Sequence, residues 1–211
     1  MIVERVTVSV PPGFLENCYL VSDDRGATRV AVIDPGGQPE EILRALDGRV
    51  VDSIILTHGH FDHIGAVTDL VETTGAVVIA HSLEADSITG AIDNGPRSIT
   101  KLIKPVTVDR VVDDGDIIQV GEKELKIYHT PGHTIGSMCL YDSEDHQLLA
   151  GDTLFFEAVG RTDFPTGSAV QQRESIARLF ELPDDTRVYP GHDEDTTIGH
   201  EKVYGPLADI V

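Results

Sequence analysis

A dense run of possible metal ligands follows a short apolar segment in the first half of the chain. The run Thr57–His63 reads THGHFDH and comes directly after Ile54–Leu56. Four of its side chains can bind a cation, namely His58, His60, Asp62 and His63. Imidazole and carboxylate ligands suit zinc, with iron or manganese as alternatives. In an extended chain residues 58, 60 and 62 would point to one side, which leaves His63 for a second ion.

Three later turns each offer one more ligand-type side chain beside a glycine. These are His133 in Thr130–His133, Asp152 in Ala150–Thr153 and His192 in Tyr189–His192. Each turn follows a strand-like segment, and open α/β sheets keep their ligands at the carboxyl ends of strands. Any one of them alone would be an ordinary turn residue. Together with the first run, they predict a site for two divalent metal ions.

The elements that must position these side chains alternate between strands and helices. Strands are predicted at Glu4–Val10, Asn17–Ser22, Arg29–Asp34, Asp52–Leu56, Val77–Ala80, Val106–Val112, Ile117–Val120, Leu125–His129, Ser137–Tyr141, Gln147–Ala150 and Arg187–Tyr189. Helices are predicted at Pro39–Leu46, Ile64–Thr73, Leu83–Ile92 and Val170–Phe180, with one more after Thr197. Grouped strands with helices between the groups predict an α/β fold, an αββα four-layer sandwich. The length suits a single domain over residues 1–211.

The charge balance restricts the partners of the protein. Acidic residues number 36 and basic residues 16, which gives a formal net charge of −20. Such a surface repels nucleic acid and anionic membranes. It also predicts adaptation to high salt, with stability that rises toward molar salt. No apolar run reaches the roughly 20 residues that span a bilayer, and no basic leader is evident at Met1, so we expect a cytoplasmic protein.

The ligand pattern resembles the metallo-β-lactamase superfamily. The HxHxDH run at residues 58–63 and the later His133, Asp152 and His192 carry this resemblance over nearly the whole chain. Four further segments resemble the short glyoxalase II-like hydrolases, which include the hydroxyacylglutathione hydrolases. They are Thr130–Ser137, Gly151–Phe155, Gly160–Gly167 and Pro190–Lys202.

The resemblance implies a role for each ligand. It assigns the first metal to His58, His60 and His133. It assigns the second metal to Asp62, His63 and His192, with Asp152 as the bridge. Asp62 would also orient the attacking water and act as a catalytic residue. Asp34 resembles the aspartate that braces the metal-binding loop in this family.

The activity implied by the resemblance is hydrolysis of a small-molecule thioester by a metal-bound hydroxide. A thiolate with a pKa of about 8.5 leaves readily, so no general acid is required. Arg161 could bind a substrate carboxylate through its forked donors or pair with Asp163 instead. Long glyoxalase II enzymes carry a helical domain that helps bind glutathione, and Asp193–Val211 is too short for it. The acyl group, the thiol carrier and the oligomeric state therefore stay open.

Two alternatives remain at this point. The Gly160–Phe164 run also occurs in persulfide dioxygenases of the same fold, which would use one Fe(II) on His58, His133 and Asp152. The fold could also serve as a metal-binding module without turnover. The complete ligand set favours an enzyme over such a module. A lactamase and a nuclease are disfavoured by the lack of a secretion signal and by the negative charge.

Overall fold

Two six-stranded sheets form the centre of a computed structural model that describes residues 1–10, 13–89 and 104–210. The strands of the first sheet follow one another in chain order: β1 (Ile2–Val10), β2 (Phe14–Ser22), β3 (Arg29–Ile33), β4 (Val50–Leu56), β5 (Val77–His81) and β6 (Arg110–Val112). The second sheet is built from β7 (Ile117–Val120), β8 (Lys123–His129), β9 (Met138–Asp142), β10 (Gln147–Gly151), β13 (Arg187–Pro190) and β14 (Thr196–Thr197). Its spatial order is β14-β13-β10-β9-β8-β7, and β11 (Leu154–Phe155) pairs with β12 (Ala158–Val159) as a separate hairpin.

Alternating side chains along the strands bury both faces of each sheet. On β4, Ile55 faces the second sheet, whereas Ile54 and Leu56 pack with the helices on the other side. On β9, Leu140 faces the first sheet and Cys139 packs outward. Because successive residues of a strand point to opposite faces, apolar residues at every position require a layer on each side.

Helices supply the two outer layers. The helices are α1 (Pro39–Leu46), α2 (Phe61–Ile64), α3 (Val67–Thr74), α4 (Ala85–Ile88), α5 (Ala169–Leu179) and α6 (Ile198–Tyr204). α1 and α3 cover the first sheet through Ile42 and Leu70, and α5 covers the second sheet through Ile176 and Leu179. The layers run helix, sheet, sheet, helix, so the predicted αββα sandwich is confirmed. Within the described ranges, no helix has the length and hydropathy of a membrane span.

Several element predictions need correction. The single helix predicted at Ile64–Thr73 is two helices, α2 and α3, because the chain turns at Gly65 and Ala66. Of the strand predicted at Val106–Val112, only β6 (Arg110–Val112) pairs with a neighbouring strand. The helix predicted at Leu83–Ile92 is a 3₁₀ turn followed by α4, and its end lies outside the described residues. The β11–β12 hairpin was not predicted, since two-residue strands are too short to show a period.

The predicted ligands gather at one edge because of how the strands run. β3, β4, β5 and β6 are parallel neighbours in the first sheet, and β10 is parallel to β13 in the second. The metal-binding run follows β4, and the later ligands follow β8, β10 and β13. The backbone N–H of Met138 donates to the Thr57 carbonyl at 2.9 Å and ties the second sheet to the start of that run.

Candidate metal centre

The run at residues 58–63 changes conformation in its middle. His60 is extended (φ −66°, ψ 149°), whereas Asp62 and His63 lie on the single turn of α2. The extended conformation predicted through residue 62 is therefore wrong. His63 joins the second ligand group from the helical turn, although its ring lies only 4.2 Å from the His58 ring, measured between centroids.

The ligand atoms of six predicted residues form two triads. In the first, ligand atoms of His58, His60 and His133 all lie within 4.8 Å of one another. In the second, the same holds for Asp62, His63 and His192. These are the groupings that the resemblance implied for the two metals, and they are consistent with a two-metal site.

Asp152 lies between the two triads. Its Oδ1 is 3.3 Å from His63 Nε2, and its Oδ2 is 3.4 Å from His133 Nε2 and 3.6 Å from His192 Nε2. Each carboxylate oxygen thus faces ligand atoms, and the two oxygens together reach both triads. This is the geometry that a shared ligand needs.

Hydrogen bonds on the outer ring nitrogens assign the tautomers of four histidines. Nδ1 of His133 donates to the Arg161 carbonyl at 2.7 Å, and Nδ1 of His192 donates to the Leu15 carbonyl at 2.6 Å. Nδ1 of His63 faces Asp34 at 3.1 Å, and Nδ1 of His58 faces the Thr57 hydroxyl at 3.1 Å. Each Nε2 is left to present a lone pair inward, which is how metal-binding imidazoles are oriented.

The inward atoms have the chemistry of a cation site. His58 Nε2, His63 Nε2 and Asp152 Oδ1 are buried and make no hydrogen bond to any described residue. His133 Nε2 and His60 Nδ1 lie 2.8 Å apart, so two ring nitrogens converge on the same space. Unpaired buried polar atoms are costly, and a divalent cation would satisfy all of them. The residues present therefore fit the divalent metals that the sequence predicted.

The pKa shifts of the histidines also indicate that the centre lacks positive charge. Burial lowers the pKa of His60 to about 3 and holds that of His58 well below its usual value. For His63 burial acts in the same direction, but Asp152 and Asp34 outweigh it and raise its pKa well above 6.5. The two carboxylates thus favour a positive charge beside them, which a divalent cation would supply.

Asp34 braces the metal-binding run, as the resemblance implied. Its Oδ1 accepts the backbone N–H of Thr57 at 2.7 Å, and its Oδ2 accepts the Thr57 hydroxyl at 2.5 Å. The residue adopts a left-handed conformation (φ 48°), which costs energy outside glycine and is typically retained at functional sites. Asp34 therefore fixes both the start of the run and the ring of His63.

Two glycines allow close backbone packing beneath the ligands. A Cβ on Gly36 would lie 1.6 Å from the carbonyl oxygen of Asp62, and one on Gly191 would lie 2.4 Å from Asp152 Oδ1. Neither distance can be accommodated, so any side chain at these positions would displace a ligand. The glycines at positions 36 and 191 are thus explained by space.

Glu84 is a buried part of the site that the sequence did not reveal. Its Oε1 accepts the N–H of Gly59 at 3.0 Å, and its Oε2 accepts the N–H of Gly136 and the hydroxyl of Thr134, both at 2.9 Å. Gly59 separates His58 from His60, and Thr134 follows His133. Burial raises the pKa of Glu84, while these three donors oppose the rise. One carboxylate therefore joins the two loops of the first triad, and no spacing rule connects it to either.

Arg161 makes the contact that the sequence offered as its alternative role. Its guanidinium forms two hydrogen bonds of 2.7 Å with Asp163 and lies over the ring of Phe164, 3.9 Å from the ring centroid. The side chain is exposed and lines the mouth of the site. Binding of a substrate carboxylate by Arg161 stays a prediction.

An open cavity of about 500 Å³ leads to both triads. Its lining includes five predicted ligands, which are His60, Asp62, His133, Asp152 and His192. The remainder is Phe14, Phe61, Phe155, Phe164, Arg161 and Asp193. A small molecule can therefore reach the ligand atoms from solvent, past a rim composed mainly of aromatic rings.

Comparison with known proteins agrees with this arrangement. A model of the metallo-beta-lactamase superfamily matches residues 11–192. Hydroxyacylglutathione hydrolase GloC of Haemophilus influenzae is 34% identical over 203 residues, which cover 92% of this chain and 93% of GloC.

Two solved structures share the whole fold. The BLEG-1 B3 metallo-beta-lactamase matches with a TM-score of 0.85 and 31% identity, over 97% of this chain and 99% of that chain. TTHA1623 in a di-iron-bound form matches with a TM-score of 0.83 and 37% identity, over 96% and 99% of the two chains. With the family model matched across most of its length, this chain belongs to the metallo-beta-lactamase superfamily.

Proposed function

We propose that the protein is a metal-dependent hydrolase that cleaves small-molecule thioesters with two divalent metal ions, zinc in the first instance. The observation that carries this proposal is the convergence of two ligand triads on Asp152 at the base of an open cavity. The similarity to GloC supports the thioester as the bond that is broken. The net charge of −20 makes nucleic acid an unsuitable substrate.

Each polar group of the cavity then has a defined task. When bound, the metal ions would lower the pKa of a coordinated water toward about 7 and polarise the substrate carbonyl. Asp152 serves both triads, while His133 and His192 are held in place through Arg161 and Leu15. Asp62 lies at the edge of the cavity, 14% exposed, where its carboxylate can orient the attacking water as well as ligate.

The lining of the cavity suits a good leaving group. Among its described residues, the only titratable side chains besides the predicted ligands are Arg161 and Asp193. Neither a lysine, a tyrosine nor a free histidine is available there to protonate a poor leaving group. A thiolate leaves without protonation because its conjugate acid has a pKa of about 8.5, so this lining supports a thioester as the bond that is cleaved.

The test is hydrolysis of S-lactoylglutathione and of S-acetyl-N-acetylcysteamine by protein of measured metal content. We expect thiol release that disappears after chelation and returns with Zn²⁺, without oxygen uptake. A matched sample treated with chelator and then reloaded with Mg²⁺, which prefers oxygen ligands, controls for unspecific effects of the treatment.

Two other results would replace the proposal. One iron per chain with oxygen uptake on a persulfide would show a persulfide dioxygenase. Turnover of a nitrocefin-type lactam with no thioester hydrolysis would show a lactamase. Metal binding without turnover of any of these compounds would favour the non-catalytic metal-binding module.

A further inference from the structure

We propose that the substrate is an uncharged thioester with an aromatic or bulky alkyl group beside the scissile bond, held by four phenylalanines around the metal centre. This inference rests on the thioesterase proposed above and names its substrate class. It follows from the chemistry of the cavity walls, which is separate from the chemistry of the ligands.

Two of the four rings lie against a predicted metal ligand, and the other two contact each other in the same lining. The Phe164 ring is 5.5 Å from the His60 ring, and the Phe155 ring is 6.1 Å from the His192 ring, measured between centroids. Phe61 lies between two ligands in the sequence, and Phe14 meets it edge-on at 6.1 Å. The rings therefore surround the position at which a carbonyl would react.

Three of the rings are partly open to solvent, whereas Phe61 is buried. Phe14 is 50% exposed, and Phe155 and Phe164 are half-buried. Exposed aromatic surface that is grouped around a polar centre marks a binding site more often than a chance patch. Removing this surface from water would stabilise a complex with an apolar ligand by about 25 cal/mol per Å².

The charges at the mouth disfavour an anionic thiol carrier such as glutathione. The one cationic side chain in the described lining is Arg161, whose Nε and Nη2 both donate to Asp163. Asp193 adds a negative charge to the same lining. A carboxylate-bearing ligand would have to share the guanidinium with Asp163 and approach Asp193, whereas an uncharged apolar ligand meets no such cost.

The test compares two thioesters of one small neutral thiol. S-(3-phenylpropanoyl)-N-acetylcysteamine and S-acetyl-N-acetylcysteamine have alkanoyl carbonyls of similar reactivity and differ in the apolar group. We expect kcat/KM to be at least about tenfold higher for the phenylpropanoyl compound, the scale on which apolar pockets discriminate. Equal values would overturn the inference.

Two phenylalanine variants supply the matched comparison. Phe14→Ala should lower kcat/KM for the phenylpropanoyl compound roughly fivefold and that for the acetyl compound by a clearly smaller factor. Phe156→Ala is the control: Phe156 is also partly exposed and neighbours Phe155, but its ring stacks on His200 and it does not line the cavity. A Phe14→Ala variant that affects both thioesters equally would contradict the inference.

Calorimetry separates this inference from the proposed function. If neither thioester is hydrolysed, the thioesterase is refuted, and binding of the matched thioethers S-(3-phenylpropyl)- and S-ethyl-N-acetylcysteamine decides the rest. Tighter binding of the phenylpropyl compound, lost in Phe14→Ala and kept in Phe156→Ala, would support an apolar ligand for this cavity. Equal binding of the two thioethers would overturn it.

Discussion

The floor of the cavity, formed by predicted metal ligands, and its mouth, formed by phenylalanines and Arg161, differ in how their side chains are held. On the floor, the outer atoms of the ligands are fixed by hydrogen bonds to Asp34, Thr57 and the Leu15 carbonyl. At the mouth, Phe14 and Arg161 are exposed and contact mainly neighbouring mouth residues. We therefore expect the floor to determine which reaction is catalysed and the mouth to determine which substrate is bound. Substitutions in the two regions should therefore affect different kinetic constants.

The largest effect is expected from Asp152→Ala. The carboxylate faces both triads, so its loss should lower metal content and kcat by orders of magnitude. Elemental analysis and thioester hydrolysis measure both. Full metal occupancy in the variant would show that Asp152 does not bridge the two ions. It would also contradict the division of roles between floor and mouth.

Glu84→Gln should have the next largest effect. Glutamine keeps one acceptor, but its amide group would face the donors of Gly59 or of Gly136 and Thr134. Loss of such a supporting contact costs about 10–100-fold in metal affinity. Chelator competition gives the affinity, and the visible spectrum of the Co²⁺-loaded protein reports the geometry of the ligands.

Glu201→Gln is the matched control for Glu84. Glu201 is also a fully buried acid that accepts from a hydroxyl, that of Thr196, and from a backbone N–H, that of Glu157. None of these contacts adjoins a predicted ligand in sequence. Both variants should melt at lower temperature, but only Glu84→Gln should lose metal affinity; equal affinities would make Glu84 a merely structural acid.

A smaller effect is expected at the mouth, from Arg161→Ala. An exposed pair such as Arg161–Asp163 is worth about 0–1 kcal/mol, so KM for S-lactoylglutathione should rise only a few-fold while kcat stays constant. Asp163→Asn releases the guanidinium and should lower the same KM. Unchanged KM in both variants would show that Arg161 does not touch this substrate.

The last effect is on stability rather than on kinetics, and it concerns pH and the support of the floor. His81 Nδ1 accepts the N–H of Leu83 at the start of the turn that carries Glu84. Burial, with a smaller contribution from the stacked His129, lowers the pKa of His81 to about 4. A neutral His81 therefore stabilises the fold above about pH 6.5, and this contribution is lost as the pH falls toward 4.

His81→Asn isolates that contribution. Asparagine keeps an acceptor for the Leu83 N–H but does not titrate. The free energy of unfolding should fall less steeply between pH 6.5 and 4 in the variant than in the wild type, as measured by denaturant titration. Parallel curves would show that His81 titrates alike in the folded and unfolded states.

The sequence predicted the fold class and which residues would meet. The ligands lie in short motifs beside glycines, and the resemblance grouped them into the triads that the structure brings together. The local path was wrong at Asp62 and His63, because ligand spacing does not distinguish an extended run from one followed by a helical turn. The split between α2 and α3 was missed for a related reason, since the apolar period continues across Gly65.

What the sequence could not predict is mostly tertiary. Glu84 joins loops 25 and 52 residues away, and nothing local distinguishes it from an exposed acid. The aromatic mouth is assembled from separate segments around Phe14, Phe61, Phe155 and Phe164. The expected adaptation to high salt stays a prediction, because it depends on the solvent as well as on the fold.

Seven side chains are expected to hold two metal ions, with Asp152 as the ligand that both ions share. Anomalous diffraction from crystals of the metal-loaded protein tests this expectation directly. We expect two peaks per chain, each about 2.0–2.2 Å from its ligand atoms and each in contact with Asp152. One peak should be bonded to His58, His60 and His133, and the other to Asp62, His63 and His192. A single peak, or peaks that leave Asp152 unbound, would contradict it.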